Sequence, residues 1–337
     1  MKKITINPIT QRRIRVFRSN RLAMFSLILL MIVFAGSCFS EWIANDRPYI
    51  MRHQGKFYFP LLRKPSAIEL GIQDSYSVDY KKLAKEPGNW AVFPPVRFNP
   101  YQSNEAVNSY PGPPTWENPL GTDDRGRDVF ARLLYGFRIS FAYSIGTWLL
   151  AYSIGVAFGL AMGFFGGKID FIGQRVVEVM SSVPQFFLLI ILISIFDPSL
   201  TLLVAITSVF GWISISYYMR AEGLRLRRLE FVEAARALGL PLWKILFRHV
   251  LPNALTPIIT FSPFAIAAGI TGLAALDYLG FGLAPPTPSW GELLNQAKKH
   301  FTTAWWLALF PSTALFGTLT LLSFVGEGLR NAFDPKR

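Results

Sequence analysis

The sequence predicts an all-α membrane protein with six transmembrane helices, and three observations lead to that prediction. Hydrophobic residues make up 51% of the 337 residues and charged residues only 16%, whereas soluble domains carry about 25% charged residues. Six stretches without a charged side chain reach the roughly 17–25 residues that cross a bilayer. The basic residues cluster beside those stretches, as the positive-inside rule describes for membrane proteins.

The charge-free stretches define the predicted spans. They are residues 22–40, 139–167, 179–196, 198–219, 249–276 (with His249 counted as neutral) and 301–326. The third is the shortest, so we expect it to extend into flanking residues such as Val176 and Val177. The first belongs to a predicted helix over 22–44, which is not a removed signal peptide because such a peptide does not explain five further spans.

The net charge of +13 is explained better by topology than by a nucleic-acid partner. Three basic clusters are Lys2, Lys3, Arg12, Arg13, Arg15, Arg18 and Arg21; then Arg220, Arg225, Arg227, Arg228, Arg236, Lys244 and Arg248; then Arg330, Lys336 and Arg337. Six spans put all three clusters on one side, which the positive-inside rule makes cytoplasmic. We therefore expect two cytoplasmic termini, a basic and partly mobile tail over 1–21, and no nucleic-acid binding.

The single cysteine, Cys38, excludes an intramolecular disulfide. It lies near the outer end of the first span, where we expect a buried thiol that packs as a small hydrophobe. A lipoprotein cleavage site before Cys38 is the alternative, but Ala35 fits poorly at the position where such sites carry a larger aliphatic residue.

Residues 45–118 are predicted to form a long irregular loop outside the membrane. Many turn-forming residues and the lack of a long period argue against a separate enzyme domain. Apolar residues alternate at 56–60 and 90–93, which predicts short strands or turns there.

The motif Gly121-Thr122-Asp123-Asp124-Arg125-Gly126-Arg127-Asp128 leads into a predicted amphipathic helix. The apolar positions of that helix are Val129, Phe130, Leu133, Leu134 and Phe137, and its polar positions are Arg127, Asp128, Arg132 and Arg138. Such a helix is expected to lie at the membrane interface, so that the periplasmic segment extends over 45–138.

The second span carries four small residues at intervals of four: Ala151, Gly155, Gly159 and Gly163. On a helix these positions share one face, which lets a neighbouring backbone approach closely in lipid. They predict a tight helix contact, either within the chain or with a partner subunit.

A polar segment over 221–252 separates the fourth and fifth spans, and it is predicted to form two short helices. Gly239 suits the left-handed position that ends a helix, and Pro241 suits the first turn of the next one. The predicted apolar faces are Phe231, Ala234, Ala235 and Leu238 in the first helix, and Leu242, Ile245, Leu246 and His249 in the second. Small alanines permit close approach to a partner groove, where Glu233 can pair with an arginine; the alternative is a connector that rests on lipid headgroups.

The spacing of Glu233-Ala234-Ala235, Gly239, His249 and Leu251-Pro252 resembles the EAA loop of permease subunits in ATP-driven uptake systems. With the stretches 121–128, 279–293 and 328–335, it makes residues 120–337 similar to the C-type permease subunit of bacterial dipeptide, oligopeptide and nickel ABC importers. Residues 43–48 and 57–62 resemble the Yej-type branch, whose members import oligopeptides and microcin C. The wider family has an aliphatic residue where His249 stands, but His is usual in the peptide branch.

The resemblance implies a type I ABC importer permease fold in the bacterial inner membrane, with helices 2–6 over 139–327 and a cytoplasmic tail over 328–337. It implies as partners a homologous B-type permease, one or two cytoplasmic ATPases, a periplasmic solute-binding protein and membrane lipid, and no cofactor. Family members move peptides by alternating access while the partners hydrolyse ATP.

We do not expect the chain to be an enzyme. Around the pair Gly167-Lys168, Met162 and Ile169 replace residues that a phosphate-binding loop requires. A nickel or other small-cargo importer of the same family remains an alternative. A stand-alone channel or intramembrane enzyme would need paired ionisable residues in the spans, which the charge-free stretches lack.

Candidate residues for the translocation path are Ser181, Ser182, Gln185 and Asp277. The first three interrupt the third span, and polar residues at depth face a cavity or hydrogen-bond a neighbouring helix. Asp277, at the outer end of the fifth span, could meet a peptide amine or be a surface carboxylate. His249 is interpreted as a packing or hydrogen-bonding residue, and no metal site is predicted.

Overall fold

The computed structural model describes residues 7–72, 78–107 and 109–334, and the described chain is mostly helical. Lys2, Lys3, Pro335, Lys336 and Arg337 of the predicted basic clusters and terminal motif lie outside the described residues. The helices are α1 (Pro8–Ser19), α2 (Arg21–Cys38), α3 (Ser40–Ile43), α4 (Tyr80–Leu83), α5 (Val129–Phe165), α6 (Gly167–Ser182), α7 (Gln185–Ile195), α8 (Leu200–Leu226), α9 (Glu230–Ala237), α10 (Leu242–Ile245), α11 (Leu255–Leu279), α12 (Trp290–Lys299) and α13 (Trp305–Phe333). Three antiparallel strands, β1 (Ile50–His53), β2 (Lys56–Tyr58) and β3 (Trp90–Val92), pair in the order β2-β1-β3.

Five helical stretches of the described chain are long and apolar enough to span a membrane. They are α2, α5, α8, the continuous stretch Leu242–Leu279, and α13. Helices α6 and α7 qualify when taken together, although they are bent by 68° at the break between them.

The packing of α5 against α8 shows that α6 and α7 together make one crossing. Gly155 of α5 lies against Ile215 of α8, and eight residues further on Gly163 lies against Gly223. The two helices are therefore parallel, so the chain must return across the membrane between them. The structure thus has six crossings, as the sequence predicts.

The two faces of the bundle are named here by what they carry. The elbow side carries α1, the turn between α5 and α6, the end of α13, and residues 230–245, which we call the elbow. The loop side carries residues 39–128 and α12. Two contacts show that α13 runs from the loop side to the elbow side. Trp306, near its start, hydrogen-bonds to Thr122 on the loop side, and Gly328, near its end, contacts Ala23 on the elbow side.

The third crossing differs from the predicted span over 179–196. Its first helix, α6, begins at Gly167, and the charge of Asp170 in that helix is neutralised by Arg220 of α8 through two hydrogen bonds of 2.6 and 2.7 Å. The break falls where Pro184 forces Val183 into an extended conformation, with φ −80° and ψ 121°. A search for uncharged stretches misses such a span.

The separate interfacial helix predicted before the second span is wrong. Residue 129 begins a single helix of 37 residues that continues to Phe165. The predicted polar face is also wrong, because Arg127, Asp128 and Arg132 are buried. Carboxylates from elsewhere in the fold pair with the two arginines inside the protein.

In the N-terminal region, residues 8–19 form a helix: the Asn7 side chain caps it, Pro8 stands in its first turn, and Arg13 lies 4.2 Å from the ring centre of Phe333. The expectation of a buried cysteine is wrong. Cys38 is exposed in the single chain instead of buried.

The predicted strands at 56–60 and 90–93 are present as β2 and β3, which flank β1. Beneath the sheet Met51, Leu70 and Tyr80 are buried together. The side chain of His53 bridges this unit through the Leu70 carbonyl (3.0 Å) and Asn89 (2.9 Å), so this histidine has a structural role. The loop therefore has a small core of its own.

Candidate coupling surface and intramembrane cavity

The elbow, defined as residues 230–245, consists of α9, a tight turn and α10. Gly239 has φ 73°, and its N–H donates to Arg236 O at 2.9 Å while Leu240 N–H donates to Ala235 O at 3.2 Å. These two hydrogen bonds form a Schellman motif, which ends α9 and reverses the chain. No heavy atom lies within 4 Å of the Cβ that a larger residue would have at Gly239, so backbone conformation alone favours glycine there.

One face of the elbow is anchored in the bundle. Val232, Ala235 and Ile245 are buried in a cluster with Ile215 and Met219 of α8. Burying side chains such as Val232 and Ile245 stabilises the docked elbow by about 1.5–3 kcal/mol each. The elbow is thus a rigid extension of the spans.

The opposite face of the elbow is apolar and exposed. The side chains of Leu238 and Trp243 are 81% and 66% exposed, and Phe231 and Leu242 are 40% and 49% exposed. The predicted single apolar face of α9 is therefore divided: Ala235 turns inward, and Phe231, Ala234 and Leu238 face outward. Glu233 lies beside them, exposed and without an ion pair in the described chain.

The junction between the elbow and α11 departs from α-helical geometry. Residues Leu246–Val250 form a π-helical turn and Leu251–Ala254 a 3₁₀ turn. His249 lies half-buried in the first turn, and its carbonyl accepts a hydrogen bond of 2.7 Å from Asn253. Leu251 and Pro252 stand in the second. Such turns inside a helix often mark hinges or functional sites.

The small residues of the second span lie against α8 of the same chain. A Cβ added at Gly159 would lie 2.9 Å from Met219 Cβ and from Ser216 Cα, and closer still to the Ser216 carbonyl. Gly155 and Gly163 meet the backbones of Trp212 and Arg220 in the same way. The structure thus places this contact within the chain, next to the anchor of the elbow.

On the loop side, the motif 121–128 forms a buried turn. The Asp123 carboxylate accepts hydrogen bonds from the Arg127 N–H (2.9 Å) and Nε (2.7 Å), and Gly121 and Gly126 have φ 79° and 76°. The Thr122 hydroxyl accepts from the Gly112 N–H at 2.8 Å. The motif stabilises a loop and presents no open site.

Asp128 caps α5. Its carboxylate accepts hydrogen bonds from Ala131 N–H (2.7 Å) and from Asn118 Nδ2 (2.8 Å). Burial nevertheless raises the pKa of Asp128 to about 6, although these two hydrogen bonds lower it. Nearby, burial and then the charge of Asp123 raise the pKa of Asp124.

A buried ionic network joins this motif to α12. Glu292 of α12 accepts hydrogen bonds from Arg127 (3.0 Å) and from Arg132. Arg132 is fully buried and also donates to the carbonyl oxygens of Pro100 (3.0 Å) and Thr287 (3.3 Å). Neither the network nor α12 was predicted from the sequence, although the Ser-x-x-Glu pattern of Ser289 and Glu292 is typical of a helix start.

Asp277 is buried, not on the surface. Its carboxylate accepts hydrogen bonds from the Leu283 N–H (2.7 Å) and from the Ser289 hydroxyl. Gly291 packs against Ala274 and Asp277. The side chain therefore holds the loop that precedes α12, and it is engaged by that loop instead of facing a path.

Of the polar residues predicted in the third span, Gln185 lies beside a cavity. Ser181 and Ser182 hydrogen-bond to carbonyls of their own helix, those of Val177 and Val179 (2.7 and 2.8 Å). Gln185 lines a cavity of about 520 Å³ between α5, α7, α8 and α11. The structure brings Gln185, but not the two serines, to this space.

Aromatic residues and small residues make up most of the lining of the cavity, with a few polar groups. Tyr143 and Thr207 hydrogen-bond to each other at 2.8 Å, and Tyr218 lies 4.4 Å from Phe261 between ring centres. The buried Thr147 hydroxyl has no hydrogen-bond partner in the described chain. No local pattern in the sequence predicts that these residues meet, because they come from three distant segments.

Comparison with known proteins assigns these features to a family. The family model described as "Binding-protein-dependent transport system inner membrane component" matches residues 155–337, and the one described as "N-terminal TM domain of oligopeptide transport permease C" matches 9–60. In Escherichia coli, the "Inner membrane ABC transporter permease protein YejE" is 42% identical over 338 residues, 98% of each chain.

Two further similarities extend over most of a chain. The "Peptidoglycan transport system permease protein YejE" of Agrobacterium fabrum is 36% identical over 364 residues, covering 100% of this chain and 95% of that protein. An inward-facing structure of the MetNI methionine ABC transporter matches with a TM-score of 0.50 and 18% identity, over 61% of this chain and 98% of the other. That structural likeness concerns the fold.

Proposed function

Because this chain belongs to the family of binding-protein-dependent transport system inner membrane components, we propose that it is the permease subunit of an ATP-driven importer that moves peptides across the bacterial inner membrane. It has the type I ABC importer permease fold. The cargo assignment is supported by the oligopeptide permease match at 9–60 and by the peptidoglycan transport relative.

The two-faced elbow carries the proposal. Its outer face exposes Leu238 and Trp243, and an exposed apolar patch of this kind marks a contact with a protein partner or a membrane. Its inner face is buried against α8. A partner ATPase that covers the outer face would therefore move the elbow and the bundle together, whereas a connector that rests on lipid headgroups would not need the buried inner face.

We assign the elbow side to the cytoplasm. All three basic clusters have their described residues at or near that side, which agrees with the positive-inside rule. These residues lie from Arg12 to Arg21, from Arg220 to Arg248, and at Arg330. The two termini then face the ATPases. The loop side, with residues 45–128 and α12, faces the periplasm and receives the solute-binding protein.

The proposed transport step uses the hinge at residues 246–254. ATP binding closes the partner ATPases and displaces the elbow, and the non-α turns let α11 change its angle relative to the α5–α8 pair. A second, homologous permease completes the path. Gln185, Thr147 and the aromatic residues of the cavity are proposed to contact cargo, since backbone amides of a peptide can hydrogen-bond to those polar groups.

Two adjacent alanines provide a sharp test. In a Cys38→Ser background, Ala234→Cys places a thiol on the exposed face, and Ala235→Cys places one in the buried cluster, where Ala235 is 4% exposed. We expect Ala234→Cys to cross-link to the ATPase of the assembled complex in a nucleotide-dependent manner, and Ala235→Cys to remain unreactive. Ala234→Cys that reacts only with lipid-soluble reagents would show that the elbow rests on the membrane.

Uptake assays test the cargo separately. We expect membrane vesicles with the complete complex to accumulate labelled tripeptide with ATP, and Leu238→Asp to abolish accumulation by placing a charge in the ATPase contact. Nickel uptake without peptide uptake would identify the family's small-cargo alternative. Accumulation by the isolated subunit without an ATPase would contradict the importer mechanism itself.

A further inference from the structure

A second cavity, on the elbow side, lies outside the proposed transport path. It measures about 620 Å³ and is enclosed by α1, α2, α13 and the start of α11. Its walls include Phe17, Leu27 and Phe333, and Ile259 contributes from α11. This volume falls within the roughly 300–1,000 Å³ of small-molecule sites. We refer to it as the N-terminal cavity.

Two arginines of α1 stand at the N-terminal cavity. Arg13 is held over the ring of Phe333, 4.2 Å from its centre, and Arg18 lies one and a half turns further along the helix. Neither is among the arginines that form the ion pairs of the described chain. Residues 7–40 contain no Asp or Glu, so no carboxylate within that segment can pair with Arg13 or Arg18.

The chemistry of the site is that of an amphiphile with an anionic head. The apolar walls lie between the ends of helices long enough to span a membrane, and the guanidinium groups stand beside them. In a bilayer, the ends of such helices lie where acyl chains meet headgroups. Guanidinium groups bind phosphate oxygens through paired hydrogen bonds. We propose that the N-terminal cavity binds one anionic phospholipid, with its phosphate at Arg13 and Arg18 and an acyl chain along Leu27 and Ile259.

The position of the cavity gives the lipid a role in the hinge. Its wall includes Pro252 and Asn253 of the 3₁₀ turn, and Asn253 hydrogen-bonds back to the His249 carbonyl at 2.7 Å. A bound lipid therefore supports the junction through which the elbow reaches α11. This inference depends on the membrane location of the chain and not on its cargo.

The test uses the full chain assembled with its partner subunits in neutral detergent. Native mass spectrometry would follow titration with dioleoylphosphatidylglycerol or with zwitterionic dioleoylphosphatidylcholine. We expect tighter binding of phosphatidylglycerol, and a roughly 30-fold loss in the Arg13→Gln/Arg18→Gln variant, because each basic residue contributes about a fivefold gain at an anionic surface. Arg15→Gln is the matched control, since Arg15 lies on the same helix but does not line the cavity.

A second variant separates a built site from surface attraction. Ile259→Trp keeps both arginines and fills the apolar wall, so we expect it to weaken phosphatidylglycerol binding as well, whereas the Arg13→Lys/Arg18→Lys variant should retain most of it. Any one of three results would overturn the proposal: equal affinity for the two lipids, a loss of phosphatidylglycerol affinity in Arg15→Gln as large as that in Arg13→Gln/Arg18→Gln, or unchanged phosphatidylglycerol binding by Ile259→Trp. Lipid bound to the isolated chain but displaced on assembly would show that a partner segment fills the cavity. Size-exclusion profiles of all variants report whether they fold.

Discussion

The contact between α5 and α8 predicts a measurable cost for one methyl group. In Gly159→Ala the new Cβ would lie 2.9 Å from Met219 Cβ and from Ser216 Cα, and closer to the Ser216 carbonyl. Carbon atoms are in favourable contact at about 3.5–4.0 Å, so the helices must separate by at least about 0.6 Å. The obstructing atoms are mostly backbone, which no change of rotamer can move aside.

The magnitude follows from two opposing effects. Overpacking a close contact costs about 1–3 kcal/mol, and replacing glycine with alanine in a helix contributes about 1 kcal/mol in the favourable direction. We expect Gly159→Ala to lower the free energy of unfolding by up to about 2 kcal/mol, which corresponds to up to about 3 °C in Tm for a chain of this length. Because α5 also anchors the elbow, uptake should fall at the same protein level.

Gly317→Ala is the matched control. Gly317 lies in α13, and nothing is within 4 Å of the Cβ added there. It should gain the helical preference of alanine without the overpacking, so its Tm should be unchanged or slightly raised. Thermal unfolding of the purified chains in detergent, followed by tryptophan fluorescence, measures both variants. If Gly159→Ala unfolds at the same temperature as Gly317→Ala, the two helices are not packed as closely as the structure has them.

Three further predictions address the elbow, the ionic network and the helix cap. Gly239→Ala should reduce ATP-dependent uptake, because alanine in the left-handed conformation costs about 1–2 kcal/mol. Gly239→Asn should retain more uptake, because asparagine adopts that conformation more readily. Equal uptake by the two variants would show that transport does not require the Schellman turn. Glu292→Gln should destabilise the chain by about 3–5 kcal/mol by leaving buried Arg127 and Arg132 less compensated, whereas Glu178→Gln in an exposed pair should change Tm very little. Folding raises the pKa of Asp128 to about 6, from a value near 4 in the unfolded chain, so the folded state holds the proton more tightly. The stability of the fold should therefore fall as the pH rises from about 4 to about 6. Asn at this position can still cap α5 but cannot titrate, so Tm measurements on Asp128→Asn should lack that part of the pH dependence.

The sequence predicted the features that depend on local pattern. Hydrophobic length predicted six crossings, and alternation predicted the strands β2 and β3. Gly239 predicted a helix end, since only glycine readily takes the left-handed conformation found there. The family resemblance was also readable, because its motifs lie in short continuous stretches.

The predictions that failed involved charges whose partners are remote in sequence. Arg132 appeared to be on a polar helix face, yet Glu292, 160 residues away, compensates it inside the protein. Asp170 lies in the helix before the predicted uncharged stretch 179–196, and Arg220 of α8 pairs with it. A charged side chain is costly to bury only while it is unpaired, and sequence alone does not show which pairs the fold will form.

For this protein, composition and period alone determined that the chain crosses a membrane, how many times, and where its polar elbow lies. Tertiary structure decided which side of α9 is anchored and which is free for a partner, that the glycines of α5 meet α8, and which segments enclose the two cavities. The physical reason is that burial in lipid depends on the average character of each segment, which is local. Contact between helices depends on relative position and direction, which exist only once the segments have packed together.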